Sequence, residues 1–200
     1  MLKSTFSYLT ITVVLLSVIT PTHAEIPDWQ NPRVFRTNTQ TDHCSSIPFP
    51  TPDSALKNQP TDSPLYKSLN GQWSFKLSQD PASRPADFYK IDYDTSSWQK
   101  ITVPANWQMQ GFGQPIYYNN GFPFRYQLTP TLHPTQVPTS PNPVGSYKTT
   151  FILDPAWKTK QTFITFEGVK SAFYLWINGK KVGYHQDSMT TAQFDITKYL

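Results

Sequence analysis

The chain has 200 residues, of which 38% are hydrophobic, 15% aromatic and 15% charged, with a formal charge of +4. This length suits one ordinary domain with additional segments, which excludes a large multidomain enzyme, and the 19 prolines argue against helical bundles and coiled coils. The 17 basic residues are scattered rather than gathered into a strip, so nucleic acid is not an expected partner.

Residues 1–24 have the pattern of an export signal. Lys3 supplies the positive start, residues 6–19 form an apolar run, and Thr22-His23-Ala24 is a small-x-small cleavage pattern. The run is too short and too rich in threonine for a membrane span of about 20 apolar residues. We therefore expect a cleaved signal peptide, export to the periplasm or the cell exterior, and no membrane partner, with an uncleaved anchor as the alternative.

Residues 25–64 are predicted to form an extended, proline-rich arm. Prolines recur throughout this segment, and it shows little apolar periodicity, so it cannot build a core of its own. Trp29, Val34 and Phe35 would nevertheless be costly to leave in water. We expect the arm to lie along another surface, either the remaining domains of a longer protein or a neighbouring subunit.

Residues 65–200 have the pattern of short strands separated by turns. The alternation in Gly71–Leu77 places Trp73, Phe75 and Leu77 on one face of a strand, and Asn178-Gly179 between apolar runs predicts a hairpin. Further strands are predicted at Ser146–Leu153, 161–166, 173–177, 180–184 and 194–196. The sequence therefore predicts an all-β fold, an antiparallel jelly-roll β-sandwich preceded by the extended arm.

Familiar catalytic patterns are missing from the sequence. It contains no G-x-S-x-G, no glycine-rich phosphate loop and no zinc-ligand spacing among its four histidines. Glycoside hydrolysis needs two carboxyl groups across the scissile bond. The only glutamates are Glu25 and Glu167, and no spacing selects a pair among the acidic residues. No catalytic residue is assigned to this chain.

Two stretches combine aromatic rings with amide or carboxylate groups, residues 115–123 and residues 183–188. A sugar presents hydroxyl groups and apolar C–H faces, which suit an acceptor carboxylate, an amide and a flat ring. A structural interpretation is also open, since Asn119-Asn120-Gly121 can form a turn and Asp187 can cap a backbone amide.

Four segments carry a more specific pattern. They are Asp28–Pro32, Ser68–Phe75, Val103–Gly111 running on to Pro115–Asn119, and Glu167–Gly179 running on to Val182–Ser188. Together they resemble the N-terminal sugar-binding domain of family 2 glycoside hydrolases, and most closely that of the large β-galactosidases. The resemblance implies a jelly-roll sandwich attached to a catalytic barrel, with sandwich residues reaching into the galactose pocket.

The resemblance also implies individual roles. Asn119 matches the asparagine of a Pro-Ile-Tyr-x-Asn segment and Asp187 the aspartate of a Gln-Asp-Ser segment, and in the family both approach the galactosyl group. Asp187 would also help to bind a sodium ion, since a carboxylate can accept from a sugar hydroxyl and ligate a hard cation. The run around Trp107 is expected to pack and shape its loop.

The family's acid/base and nucleophilic glutamates and its magnesium ligands lie in the barrel, and Glu167 matches none of them. Leu200 falls inside the family pattern, so the chain is expected to be cut short. We expect an exported β-galactosidase fragment that is inactive alone, from a parent that uses Mg²⁺ and Na⁺, forms a homo-oligomer and hydrolyses terminal β-galactosides with retention. The alternative is a stand-alone carbohydrate-binding module or lectin.

Overall fold

The computed structural model describes residues 26–57, 59–115, 117 and 136–200. The strands in this part are β1 Arg36–Thr37, β2 Gly71–Ser78, β3 Gln99–Val103, β4 Val144–Lys148, β5 Phe163–Phe166, β6 Ala172–Ile177, β7 Lys180–Gln186 and β8 Ala192–Asp195. The helix α1 spans Pro52–Leu56, and short 3₁₀ turns occur at Asp28–Gln30, Pro60–Asp62, Trp107–Gln110, Pro155–Trp157 and Thr197–Tyr199. Strand pairing is antiparallel throughout, which confirms the all-β sandwich. None of the helices in these ranges has the length and apolar character to cross a membrane.

One sheet has the strand order β3-β2-β4 and is built around Phe75. Phe75 is fully buried, and its ring centroid lies 4.6 Å from that of Phe112 and 4.7 Å from that of Tyr147. Trp107 packs on the same ring at 5.9 Å. The Trp107 run was expected to pack and shape its loop, and its indole does pack on the apolar face of β2.

The opposite face of β2 is also covered, which the one-sided alternation did not predict. Ser74 and Ser78 on this face are buried. Lys100 Nζ donates a hydrogen bond to Ser74 Oγ at 2.9 Å, and Lys148 Nζ donates to the carbonyl of Tyr93 at 3.3 Å. Small hydroxyl side chains allow residues 81–98 to lie close over this face, where lysine stems fill space and their amino groups satisfy polar atoms.

The predicted hairpin is confirmed as β6–β7. Asn178 and Gly179 have φ values of 48° and 78°, the paired positive angles that a two-residue turn of this kind requires. The apolar side chains of the hairpin pack against β5 and β8 in a core whose buried members are Ile164, Ile177, Val182, Ala192, Phe194 and Ile196. The hairpin therefore contributes one wall of the core, and its polar end leads to Asp187.

Part of the arm belongs to the sandwich itself. Arg36 and Thr37 form β1, which pairs with His185 and Tyr184 of β7, while Thr39 bridges to Phe194 of β8. Residues 36–40 thus dock on this domain, whereas we expected the arm to lie on other domains or another subunit. The difference has a physical reason, because the facing edges of β7 and β8 carry backbone groups that need partners.

The other strand predictions agree with the structure with one marked exception. β4 ends at Lys148, although the sequence pattern predicts a strand as far as Leu153. β3 was not predicted, although Ile101 and Val103 alternate with polar residues. The expected signal at residues 1–24 and residues 118–135 lie outside the described residues.

Gly183 makes the close approach of the arm possible. A Cβ at this position would overlap the carbonyl oxygen of Thr37 and lie 2.7 Å from Cε1 of Phe194. We predict that Gly183→Ala lowers the free energy of unfolding by about 1–3 kcal/mol, the usual cost of overpacking, and exposes residues 36–40 to protease. Chemical denaturation and limited proteolysis measure both effects.

Gly168→Ala is the control for this substitution, because its Cβ would meet only the carbonyl oxygen of Ser188, at 3.0 Å. It should cost less than Gly183→Ala and leave the arm protected. Equal losses for the two variants would contradict the role assigned to Gly183.

Candidate functional site

Asp187 stands at the exposed end of β7. It follows Gln186 directly, and its φ of 95° turns the chain out of the strand. Its backbone N–H donates to the carbonyl oxygen of Ser171 at 3.2 Å, which ties this turn to the residue before β6. The hairpin therefore fixes the backbone that carries the Asp187 side chain, while the carboxylate faces solvent.

The carboxylate of Asp187 is held by its own turn. Oδ1 accepts from the backbone N–H of Met189 at 3.3 Å, and Oδ2 accepts from the hydroxyl of Thr190. The Thr190 hydrogen bond first, and the Met189 bond second, lower the pKa of Asp187 below its ordinary value. The group is thus ionised at neutral pH, and its oxygens keep lone pairs for a further donor or a cation.

His185 precedes this turn and is packed into the fold. Its side chain is buried, and its ring lies 6.1 Å from that of Phe173. Burial lowers the pKa of His185, although the charges of Asp187 and Asp42 act in the opposite direction. The imidazole is therefore neutral at pH 7, and Asp187 carries the negative charge at this end of β7 without a cationic histidine beside it.

Gln186 is oriented by the buried Tyr184. The Tyr184 hydroxyl donates to Gln186 Oε1 at 2.9 Å, and burial is the main cause of a raised pKa for this tyrosine, so it stays protonated and donating. The backbone N–H of Gln186 donates to the carbonyl oxygen of Phe35 in the arm at 3.0 Å. The residue before Asp187 is thus fixed both by the core and by the arm.

Of the two predicted site residues, Asn119 and Asp187, the structure describes Asp187. Asn119 lies outside the described residues, so the structure places only Asp187. In the described ranges, no group of three His, Cys, Asp or Glu side chains converges on a point that could hold a metal ion. Asp187 has the chemistry of a single oxygen ligand for sodium, and the other ligands would have to be supplied elsewhere.

Two concave regions in the described part of the chain are lined by other residues than Asp187. A cleft of about 470 Å³ lies between residues 67–73 and 149–152. A hollow of about 150 Å³ is bordered by Asp28, Tyr174 and Lys181, where Lys181 Nζ lies 3.2 Å from Asp28 Oδ2. Burial, and then the charge of Asp28, raise the pKa of Tyr174 to about 12. Asp187 itself is exposed.

Comparison with known families and proteins fits this arrangement. The model of the family described as "Glycosyl hydrolases family 2, sugar binding domain" matches residues 66–200. The chain therefore belongs to this family of sugar-binding domains.

Its curated relatives include β-galactosidases. That of Priestia megaterium (strain DSM 319 / IMG 1521) is 42% identical over 175 residues, which cover 87% of this chain and 17% of the relative. That of Psychromonas ingrahamii (strain DSM 17664 / CCUG 51855 / 37) is 41% identical over 173 residues, covering 86% and 16%. The chain thus spans about a sixth of the length of these relatives.

A crystal structure of Bacteroides uniformis β-glucuronidase is 22% identical with a TM-score of 0.47, covering 67% of this chain and 13% of that one.

The residues that hold Asp187 were not identified from the sequence. Thr190 and the Met189 amide restrain its carboxylate, and Ser171 restrains its backbone. The spacing of an aspartate with an amide two residues later and a hydroxyl three residues later is a known local pattern and could have indicated Thr190. The contact with Ser171 depends on how the hairpin pairs, so no local pattern predicts it.

We predict that Thr190→Val raises the pKa of Asp187 toward its ordinary value of 3.8, because the largest stabilisation of the ionised form is removed. NMR titration of the Asp187 carboxyl measures this shift. The lowered pKa contributes stability above the ordinary value, and this contribution disappears as the pH falls through the folded-state pKa. The variant should therefore differ from the parent at neutral pH and converge with it in acid.

Thr190→Ser is the matched control, since it keeps the hydroxyl and should keep the lowered pKa of Asp187. An unchanged pKa in Thr190→Val would show that the Thr190 hydroxyl does not hold the carboxylate.

Proposed function

We propose that this chain is the sugar-binding domain of an exported β-galactosidase and that it supplies Asp187 to the galactoside pocket of the longer protein. The observation that carries the proposal is an ionised, exposed carboxylate held rigidly at the end of β7. A fixed acceptor of this kind suits a sugar hydroxyl, because it does not have to be ordered when the ligand binds.

The proposed pocket is shared between this domain and other polypeptide. Asp187 is exposed among the described residues, so a galactoside held only by its carboxylate would remain largely in water. Small-molecule sites usually bury most of the ligand surface. The remaining walls of the pocket, including those that contact the sugar ring, would therefore come from outside the described part of this chain, with Asn119 as one contributor.

Asp187 has a second proposed role as one oxygen ligand of a sodium ion. Its ionised carboxylate keeps free lone pairs beside the two hydrogen bonds that hold it. Such an ion would contribute positive charge that attracts sugar oxygens. The magnesium ion that the family resemblance implies would be bound by residues elsewhere in the longer protein.

Hydrolysis is proposed to belong to the longer protein and to proceed with retention at the anomeric carbon. That chemistry requires two carboxyl groups about 5 Å apart across the scissile bond. Glu167, the glutamate in the described residues, is exposed, and the family resemblance places the catalytic glutamates in the barrel of the longer protein. The domain would thus bind and orient the galactosyl group while other residues transfer the proton and attack the sugar.

The 200-residue chain alone is predicted to hydrolyse no galactoside. The measurement is release of nitrophenol from a nitrophenyl β-galactoside by the purified chain, compared with the longer protein expressed from the extended reading frame. Galactoside hydrolysis by the short chain that persists through purification would contradict the proposal that the catalytic residues lie elsewhere in the longer protein. A reading frame that stops after codon 200, together with galactoside binding by the chain, would favour a free lectin instead.

In the longer protein, Asp187→Ala should weaken inhibition by galactose about ten- to a hundredfold, because a hydrogen bond to a charged group is lost. The matched control is Asp94→Ala. Asp94 is also exposed and also accepts from a backbone N–H two residues later, at 2.8 Å, and from a nearby hydroxyl. Inhibition that changes equally in both variants, or in neither, would remove Asp187 from the pocket.

A further inference from the structure

The outer edge of β3 is a place where the sheet β3-β2-β4 could accept a further strand. β2 pairs with β3 on one side, and among the described residues no strand pairs with β3 on the other. Such an edge presents backbone groups that another chain can use for pairing. Whatever occupies these groups therefore decides whether the edge is open.

The usable part of this edge consists of Lys100 and Thr102. The N–H and C=O of Thr102 point away from β2, because both bond to the side chain of Gln110. Alternate residues of a strand direct their backbone groups the same way, so Lys100 shares this edge. The edge ends on both sides of these residues, since the N–H of Trp98 is bonded within the preceding turn and Pro104 has no N–H.

The side-chain amide of Gln110 pairs with Thr102 as a residue of a neighbouring strand would. Gln110 Oε1 accepts from the Thr102 N–H at 2.8 Å, and Gln110 Nε2 donates to the Thr102 carbonyl oxygen at 3.0 Å. A carboxamide offers the same kinds of donor and acceptor as a peptide group. Because opposite residues of an antiparallel ladder exchange this pair of bonds, Gln110 occupies both edge groups of Thr102.

The turn that carries Gln110 is anchored in the core. Gln110 ends the 3₁₀ turn Trp107–Gln110, and Gly111 follows it with a φ of 88°. The rings of Trp107 and Phe112, on either side of Gln110 in sequence, both pack on the buried Phe75, at 5.9 and 4.6 Å. The amide therefore reaches Thr102 without the further cost of ordering a loop.

Lys100 does not protect the edge in place of Gln110. Lysine charges often keep strand edges from pairing, but Lys100 Nζ donates to Ser74 Oγ on β2 at 2.9 Å. This hydrogen bond ties the ammonium group to the neighbouring strand. Protection of the outer edge thus depends on Gln110.

Without Gln110, the edge would be complementary to itself. A second copy of β3, placed antiparallel about Ile101, would bring Thr102 of each copy opposite Lys100 of the other and keep the two lysines apart. Each main-chain hydrogen bond of that ladder would use a group of Thr102. Occupying this residue in each copy therefore removes every bond of the pairing. Because the arrangement is two-fold symmetric, a second copy is the partner that fits the open edge.

We propose that Gln110 is an intramolecular cap that closes the outer edge of β3 to a second copy of this chain. The cap competes directly with association, because the same N–H and C=O of Thr102 serve in both. Tethering through the anchored turn gives the Gln110 amide a high effective concentration at Thr102. The closed edge therefore prevails, and its role is independent of the galactoside pocket.

Amide exchange in the unaltered 200-residue chain tests whether the cap is in place. The Thr102 N–H should exchange about tenfold more slowly than that of Lys100, or slower still, although both lie on the outer edge, because only Thr102 is capped. Residue-resolved NMR measures both rates, with the amide of Ile101, which points to β2, as the protected reference. Equal rates for Thr102 and Lys100 overturn the proposal.

Gln110→Met tests the competition with association. Methionine keeps the approximate length of the side chain and removes both hydrogen bonds. In analytical ultracentrifugation the variant should form a larger species as its concentration rises, while the unaltered chain does not, and the amides of Thr102 and Lys100 should become protected together. Sedimentation equal to that of the unaltered chain overturns the proposal, as does association that leaves Lys100 unprotected.

Gln72→Met is the matched control. Gln72 Nε2 donates to the Thr102 hydroxyl at 2.6 Å and leaves the backbone groups of Thr102 untouched, so this variant should sediment as the unaltered chain does. Association of Gln72→Met equal to that of Gln110→Met overturns the proposal. Unfolding of Gln110→Met would show as lost protection of Ile101. Gln110→Glu then takes its place, since it keeps the acceptor for the Thr102 N–H but not the donor, and it should also associate.

Discussion

Residues 35–40 lie between β7 and β8 and hydrogen-bond to both strands. Phe35 accepts from the backbone N–H of Gln186 at 3.0 Å, and Gln40 donates its N–H to the carbonyl oxygen of Gln193 at 2.8 Å. Without this segment, two strand edges would expose unpaired backbone groups. The arm therefore joins the β6–β7 hairpin to the β5–β8 pair, and the site residue Asp187 follows the residue that Phe35 holds.

The crossing from β7 to β8 depends on two side-chain choices. Asn38 adopts a φ of 59°, which asparagine tolerates better than most residues, and its Nδ2 donates to the carbonyl oxygen of Val182 at 2.8 Å. Gly183 has no Cβ, so the backbone of Thr37 can approach β7 closely. Phe35 remains 54% exposed, so main-chain pairing rather than burial of its ring docks residues 35–40.

The sequence predicted the elements whose causes are local. The Asn178-Gly179 turn follows from two residues that accept positive φ, and β2 follows from the alternation around Phe75. β1 could not be predicted in this way, because a two-residue strand exists only where a partner edge receives it. The predicted end of β4 at Leu153 was wrong for a related reason. Strand propensity describes the segment itself and does not show whether a neighbouring strand pairs with it.

In the candidate site, too, the sequence predicted the local features but not those that depend on the fold. Asp187 was identified because its Gln-Asp-Ser segment matches a family pattern, and its hydrogen bond to Thr190 is local enough to be visible in the sequence. Its attachment to Ser171 depends on the hairpin register, and a relation to Asn119 depends on a loop outside the described residues. Sequence reasoning thus supplied the chemistry of the carboxylate but not the environment around it.

That environment decides what the domain can do alone. An exposed carboxylate exchanges a hydrogen bond with water for one with a sugar hydroxyl, and the net gain is small while both remain in water. The same bond becomes stronger when surrounding polypeptide excludes water and lowers the local dielectric. The exposure of Asp187 is therefore consistent with the proposed role of this domain as one wall of a pocket. In that proposal, the carboxylate is already held by Met189 and Thr190 before a sugar binds, and its contribution to affinity would appear only once other residues close the pocket.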